Sequence, residues 1–400
     1  MKQLVKYIDN DEILGIAYDW PKIFKRCRRL RLFPDDKTIW NPLDVPVQRA
    51  KWNLILSIRA KGKTTNLLLL GLVMYQMYGT MTAYVGQNQD QIRPKNTEGM
   101  YNVIRENHYI EKIFDNRWND IRLKSGGKWY LVNVDEEGKI IEMNSEPTCI
   151  MVNIAAHEDY KSTMNYPRAD LIIYDEFIRK TYYPNEFIDF CDLLSTINRN
   201  RLSSVVFMCA NTINKHYQYF NELDVYDQLQ PLQAGQEILI EGTHGATVYI
   251  KIIDPAVDSR RQRVNRALFG FKNPSLGAIT GDTTWTEFNY PHCLKTEKDQ
   301  VIFHNCYIQH NKKLVNLELV HNSVGLCINA HFASKLYDDS IVYTCDPIYD
   351  KRFRYKLGSP SSSRIDKIIN DLIKTNKIYF ATNDVGSFFH SYLDYCKLLR

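Results

Sequence analysis

A loop that closes on Gly62-Lys63-Thr64, set between an apolar strand and a long apolar helix, constrains this chain more than any other feature. The loop reads Ser57-Ile-Arg-Ala-Lys-Gly-Lys-Thr64; it follows the apolar stretch Trp52 to Ser57 and precedes the helix pattern Asn66 to Met77. Strand, loop and helix in that order aim backbone N–H groups and the positive end of a helix at one point, an arrangement suited to phosphate. A second stretch, Leu171-Ile-Ile-Tyr-Asp-Glu176, is a buried-type strand ending in two adjacent carboxylates. A phosphate-holding loop needs a partner that holds magnesium and prepares a water, and two such carboxylates supply both. The two stretches read together as the halves of a nucleoside-triphosphate hydrolysis site.

The phosphate-loop pattern is Gly-x4-Gly-Lys-[Ser/Thr], and Ser57 stands where its first glycine is usual. Ser57, Arg59, Gly62, Lys63, Thr64, Thr65 and Asp175 form the expected nucleotide set, with ATP and Mg²⁺ as the groups they hold. Lys63 is expected to neutralise the β- and γ-phosphates, and Thr64 to place its hydroxyl on Mg²⁺. Neighbouring residues at a strand end point to different sides. Asp175 is therefore expected to support the metal and Glu176 to deprotonate the attacking water. An ordinary strand-to-helix turn with a solvated lysine is the competing reading of the first motif, weakened by the flanking strand and helix; a carboxylate pair capping a helix is that of the second, weakened by the phosphate loop in the same chain. Val205-Val-Phe-Met-Cys-Ala-Asn-Thr212 is a further apolar strand, with Asn211 at its tip as the expected γ-phosphate sensor. Arg199 and Arg201 lie just upstream, where an arginine given to a neighbouring subunit is worth about 10³–10⁵ in rate; Arg59 is the other source of positive charge.

With 400 residues the chain has room for two domains. A net charge of +5 permits an anionic partner without requiring one. The nine cysteines show no zinc-like spacing, which suggests reduced thiols in a cytoplasm-like compartment. The absence of an apolar leader and of any uninterrupted 18-residue apolar stretch predicts neither secretion nor a membrane span. From residue 52 the pattern alternates: strand 52–57, helix 63–78, strand 82–86, helix 89–108, a hairpin region around Gly126-Gly127 and Glu137-Gly138, strands 149–154, 171–174 and 205–209, and a helix at 185–198. Alternation of this kind predicts an α/β domain on a largely parallel sheet. Residues 1–216 are expected to form it, with 217–275 a charged linker or lid and 276–400 a smaller α+β domain.

The run Asp175-Glu-Phe-Ile-Arg-Lys, Pro184-Asn-Glu, Asn198-Arg-Asn-Arg201 and the Ala210-Asn-Thr strand end resembles the DNA-packaging (encapsidation) ATPases of small podoviruses with protein-primed genomes, relatives of the phage terminase large subunit. Asp159-Tyr-Lys-Ser162 with Tyr166-Pro167, and Arg59 inside the loop, fit the same likeness, strongly across residues 40–220 and more weakly to the final helix. The resemblance implies an additional-strand (ASCE) P-loop ATPase domain followed by an RNase H-like, vestigial nuclease domain. It also implies a homo-oligomeric ring, a pentamer by family likeness, at the capsid portal or connector, with double-stranded DNA and a packaging RNA as partners. Such a protein works in the host cell cytoplasm and transiently at the procapsid portal vertex. Carried over by position, Arg199 is the trans-acting finger with Arg201 behind it, Asn211 and Thr212 couple hydrolysis to movement, and Trp40-Asn-Pro42 contacts adenine.

The stretch Val301 to Ile308 carries no acid where a two-metal nuclease needs one, while Asp346 and Asp384 sit at strand ends. Expected grips on DNA phosphates are Lys124 and Lys128 beside Gly126-Gly127, Arg260, Arg261 and Arg263, and the basic knot 25–31. A full terminase with an active nuclease, another P-loop translocase or helicase, and a nucleotide-dependent scaffold that does not hydrolyse are the rival readings.

Overall fold

Apolar runs such as Trp52–Leu56 and Val205–Ala210 have no polar face, so they are satisfied only in a sheet covered on both sides. They form the centre of one. The computed structural model describes residues 5–8, 14–34, 39–57, 61–124, 126–163, 168–179, 183, 185–198, 203–211, 214–242, 244–253, 290–292, 300–323, 325–346, 348, 350–359 and 363–398. The chain divides into two units, the first comprising Met1–Arg179, Asn185–Lys215 and Tyr219–Gly270, the second Lys180–Pro184, His216–Gln218 and Phe271–Arg400.

The large sheet of the first unit runs, in spatial order, Glu237–Glu241, Thr247–Ile252, Trp52–Leu56, Val205–Ala210, Ala169–Asp175, Met81–Gly86, Cys149–Asn153, Lys128–Val134 and Asp120–Lys124, with Ile140–Met143 paired to Lys128–Val134. From Thr247–Ile252 to Cys149–Asn153 every pairing is parallel. Val205–Ala210 is inserted between the phosphate-loop strand and the acidic strand, with Ala210 opposite Leu56 and Cys209 opposite Asp175. Three chemically distinct strand ends are thus neighbours on one edge.

The helix Lys63–Tyr78 is apolar on all sides and buried over most of its length. Such a helix belongs inside a core. A Cβ on Gly71 would stand 2.1 Å from Thr82 Oγ1, so the glycine lets helix and strand meet. Gly79 ends the helix in the left-handed conformation, its N–H on the Tyr75 carbonyl at 2.8 Å. No described helix is long and apolar enough to cross a membrane.

Two expectations need correction. The single helix expected over 89–108 is a chain of short turns, Gln89–Ile92, Pro94–Thr97, Glu98–Tyr101 and Asn102–Glu106. Pro94 holds Arg93 extended at φ −59° and ψ 142°, which breaks the first turn from the second. The stretch 217–275, expected as linker or lid, supplies the strands Glu237–Glu241 and Thr247–Ile252 to the first unit's sheet. Across this edge pair Lys251 Nζ meets Glu237 Oε2 at 2.9 Å.

In the second unit the sheet order is Phe353–Tyr355, Ile341–Thr344, Cys306–His310, Lys313–Asn322, Gly325–Ala333 and Ile378–Phe380, with Gln300–Phe303 on Lys313–Asn322. Asn311 and Lys312, both at positive φ, make the tight turn of its first hairpin. The helices Arg364–Lys374 and Asn383–Leu398 close the core with Ile369, Leu372, Phe388, Phe389 and Tyr392.

His310 lies in this core among Phe388, Tyr392 and Tyr395. Burial, helped by the nearby His216, pushes its imidazole down to about 4. The unfolded ring binds a proton more readily than the folded one. Stability from this group is therefore complete above the ordinary histidine value and is lost as pH falls toward 4. His310→Phe is expected to flatten the fall of the thermal midpoint with acid between about pH 6.5 and 4; calorimetry showing the wild-type slope in the variant would contradict this.

Candidate functional site

The three neighbouring strand ends bring Ser57, Asp175, Glu176 and Asn211 together beside the first turn of the helix Lys63–Tyr78. The backbone sets this spacing: Ser57 N–H bonds the Ala210 carbonyl at 3.1 Å, and Phe177 N–H bonds the Cys209 carbonyl at 3.2 Å. Gly62 precedes the helix at φ +71°, and a Cβ there would lie 2.9 Å from Ile39. Only glycine takes that conformation in that space without strain.

Lys63 is 4% exposed. Its ammonium donates to Ser57 Oγ and, at 2.8 Å, to Asn211 Oδ1. Burial pushes it below the usual lysine range, opposed by nearby negative groups that include Asp175 and Glu176. Thr64 Oγ1 donates to Asp175 Oδ2, and Tyr84 OH donates to the same oxygen at 3.3 Å. Burial raises the Asp175 carboxyl above its ordinary value, while the Thr64 hydroxyl and the Lys63 charge pull it down. Thr65 follows in the helix's first turn, half-buried.

Glu176 is exposed and sits at φ 53°, a left-handed conformation rare for a non-glycine residue. Its N–H bonds Asp175 Oδ1 at 3.0 Å, its carbonyl accepts from Arg179 Nε at 3.0 Å, and its Oε1 accepts from Asn211 Nδ2 at 3.0 Å. Asn211 thus spans the site, with its oxygen on Lys63 and its amide nitrogen on Glu176.

These residues fit a nucleotide phosphate and its metal. Lys63 is held by neutral acceptors rather than locked to a carboxylate, so its charge is available to an incoming anion. Thr64 and Asp175 place a hydroxyl and a carboxylate together, oxygen donors of the type Mg²⁺ takes. The Trp40 segment stands close by: Trp40 N–H bonds the Lys61 carbonyl at 2.9 Å, and Asn66 Nδ2 donates to the Trp40 carbonyl at 2.6 Å.

Arg59, Arg199, Arg201, Thr212, Arg260, Arg261 and Arg263 lie outside the described residues. Lys124 and Lys128 face each other across the Gly126-Gly127 hairpin, Lys124 exposed and Lys128 half-buried. In the basic knot, Arg26 is tied to Asp115 at 3.2 Å and to the Ile113 carbonyl at 3.2 Å.

Sequence reasoning missed Tyr84, because a tyrosine within an apolar strand carries no signal beyond packing. It also missed Glu186, which is fully buried and accepts from Gln87 Nε2 at 2.6 Å, Tyr174 OH at 3.0 Å and Tyr219 OH at 3.2 Å. This carboxylate fastens the start of the helix Glu186–Asn198 to the strand residue next to Asp175.

No family model matches the chain, and neither does any curated protein. Solved structures do. A chain of the bacteriophage Phi-29 viral genome packaging motor assembly is similar at a TM-score of 0.51 and 15% identity, over 89% of this chain and 99% of that one. The Phi-28 gp11 DNA packaging motor gives a TM-score of 0.46 at 16% identity, over 91% and 99% of the two chains. The N-terminal domain of the DNA packaging ATPase from bacteriophage phi29 gives 0.42 at 18% identity, over 55% and 98%. At such identities the likeness to the Phi-29 motor chain is one of fold, and this chain shares that α/β fold.

Ser57→Ala removes one of the two side-chain acceptors of a buried ammonium, a loss worth about 1.5–3 kcal/mol. Thermal unfolding is expected to show that loss without added anion and to show it shrink with millimolar pyrophosphate, which restores an acceptor. A loss unaffected by pyrophosphate would mean that Lys63 does not receive phosphate.

Proposed function

We propose that this chain is an ATP-hydrolysing motor subunit that drives double-stranded viral DNA into a preformed capsid. The observation that carries the reading is the Asn211 bridge, at 2.8 Å from the Lys63 ammonium and 3.0 Å from the Glu176 carboxylate, on a strand inserted between phosphate loop and acidic strand. That insertion is the additional-strand order. The shared fold with a phage packaging-motor chain supports the translocation half of the reading.

In this role Ser57, Gly62, Lys63, Thr64 and Thr65 hold the nucleotide phosphates, with Arg59 in the same loop. Thr64 and Asp175 hold Mg²⁺, which when bound screens the phosphate charge. Glu176 takes the proton of the attacking water. Asn211 reports on Lys63 and Glu176 together, because a phosphate that draws the ammonium away releases the amide that restrains the glutamate.

Arg199 and Arg201 are the proposed fingers for a neighbouring subunit's site. They serve another copy's site in a ring, with the portal and a packaging RNA as its docking partners. Of the residues that flank them, Asn198 ends the helix Glu186–Asn198 and accepts from Ser204 Oγ at 2.8 Å. Lys124 and Lys128, directly opposite each other on a hairpin, are proposed grips on DNA phosphates. Arg260, Arg261 and Arg263 are further proposed grips.

The second unit is proposed as an RNase H-like domain without cutting activity. Numbered from Cys306–His310, its strands lie in the order 5-4-1-2-3-6, the first three antiparallel, the fourth and fifth parallel to the first and the sixth parallel to the third, with Gln300–Phe303 on the second. Neither Gln300–Phe303 nor Cys306–His310 carries an acid, and Asp384 is bonded to His216 at 2.7 Å.

The test is ATP turnover against protein concentration for the wild type, Glu176→Ala, Arg199→Ala and a mixture of the two variants. The expected result is a rate per subunit that rises with concentration, vanishes in both variants and partly returns in the mixture, since an Arg199→Ala subunit keeps its glutamate and borrows its neighbour's arginine. Full activity of Arg199→Ala at all concentrations would remove the finger, and an unchanged Glu176→Ala would remove the hydrolytic site.

A further inference from the structure

The short helix His157–Thr163 and the helix Glu186–Asn198 pack on one another and flank the acidic strand in sequence. Between them lies a cluster that the nucleotide site does not use. His157 Nδ1 is 3.1 Å from the Ile154 carbonyl, an oxygen that only accepts, so Nδ1 carries the proton. Nε2 faces Glu158 Oε1 at 3.3 Å, Asp192 Oδ2 at 3.6 Å and Asp189 Oδ1 at 3.7 Å. The ligand atoms of His157, Glu158 and Asp192 all lie within 4.8 Å of one another.

The geometry points to a divalent-cation site made by His157 with Asp192 and Glu158, with Asp189 beside it, separate from the nucleotide centre. Two independent features carry it. The separations exceed the roughly 2.7–2.9 Å of a charge-assisted hydrogen bond. They match instead the spacing of neighbouring ligands around one ion, about 3.4 Å for tetrahedral bonds near 2.1 Å. The second feature lies outside the carboxylates: a backbone carbonyl anchors the ring through Nδ1 and leaves Nε2 turned to the cluster, the orientation found behind metal-binding histidines. One imidazole nitrogen with carboxylate oxygens suits a first-row ion such as Mn²⁺ or Zn²⁺ better than Ca²⁺.

Asp189 and Asp192 stand one turn apart on the longer helix, so they present their oxygens on one face. His157 and Glu158 come from the other helix. An ion at this point joins the two helices. It thereby steadies the helix whose first residue, Glu186, is bonded to Tyr174 and whose last, Asn198, is bonded to Ser204. The site is half-open, with Glu158 at the mouth, its side chain 70% exposed, and the His157 ring at the back, 16% exposed. An ion can therefore enter without unfolding.

The probe is Mn²⁺ added to the full-length, nucleotide-free protein and followed by electron paramagnetic resonance. Imidazole coordination gives a nitrogen coupling in spin-echo spectra, and the described residues of the nucleotide site include no histidine, so the two sites have different signatures. One Mn²⁺ with nitrogen coupling is expected per chain, retained in Thr64→Ala, lost in His157→Gln and weakened about tenfold or more in Asp192→Asn. Saturating Mn²⁺ is expected to raise the thermal midpoint of the wild type and of Thr64→Ala but not of Asp192→Asn, a readout that holds if His157→Gln folds poorly. Overturning results are Mn²⁺ binding without nitrogen coupling, or the same affinity in Asp192→Asn. Either leaves His157 as an imidazolium ion-paired to the carboxylates.

Discussion

A single structural constraint organises the first unit: the strand Val205–Ala210 separates the phosphate-loop strand from the acidic strand, and its tip must satisfy both neighbours. Asn211 does so with one amide, giving its oxygen to the Lys63 ammonium and its N–H to Glu176. A carboxylate at this position would pair with Lys63 but repel Glu176, and an aliphatic residue would leave a buried ammonium short of an acceptor. The parallel register places the amide where both groups are in reach, and that register rests on apolar strands buried on both faces. Sheet order, apolar core and polar tip are thus one requirement seen at three scales.

Much of the first unit was legible because its chemistry coincides with its strongest periodicities. The loop Ser57 to Thr64 lies between a strand and a helix that the apolar pattern marks clearly, and Asp175 and Glu176 end an apolar run of buried-strand type. Ser57, a departure from the glycine of the usual pattern, proves informative in the structure because its hydroxyl accepts from Lys63. What failed was of another kind. The helix expected at 89–108 has good apolar spacing, but Pro94 overrides spacing locally. Glu237–Glu241 and Thr247–Ile252 were hidden by charges at their ends, which reach across the pair to each other and to Tyr249.

Tyr84, Glu186 and His157 share a deeper reason for being missed. Each matters through a partner distant in sequence: Asp175 for Tyr84, Gln87 for Glu186, and Asp189 with Asp192 for His157. Local pattern shows what a residue can be, and only the tertiary fold shows what it meets. Lys124 and Lys128 are intermediate, since the hairpin glycines were visible but the direct cross-strand opposition of two like charges was not.

The site also stores unfavourable electrostatics. Lys63 is desolvated below its ordinary proton affinity, Asp175 is desolvated above its own, and Glu176 holds a left-handed backbone beside them. Each condition costs free energy. On the proposed reading, a polyanion with its metal reverses the first two costs at once, giving the ammonium a full counter-charge and the carboxylate a cation. The gain is made at the tips of three adjacent strands. Because Asn211 contacts both charged groups, it cannot keep both hydrogen bonds when Lys63 turns to a phosphate. On that reading, binding and release alternate between two states of one side chain.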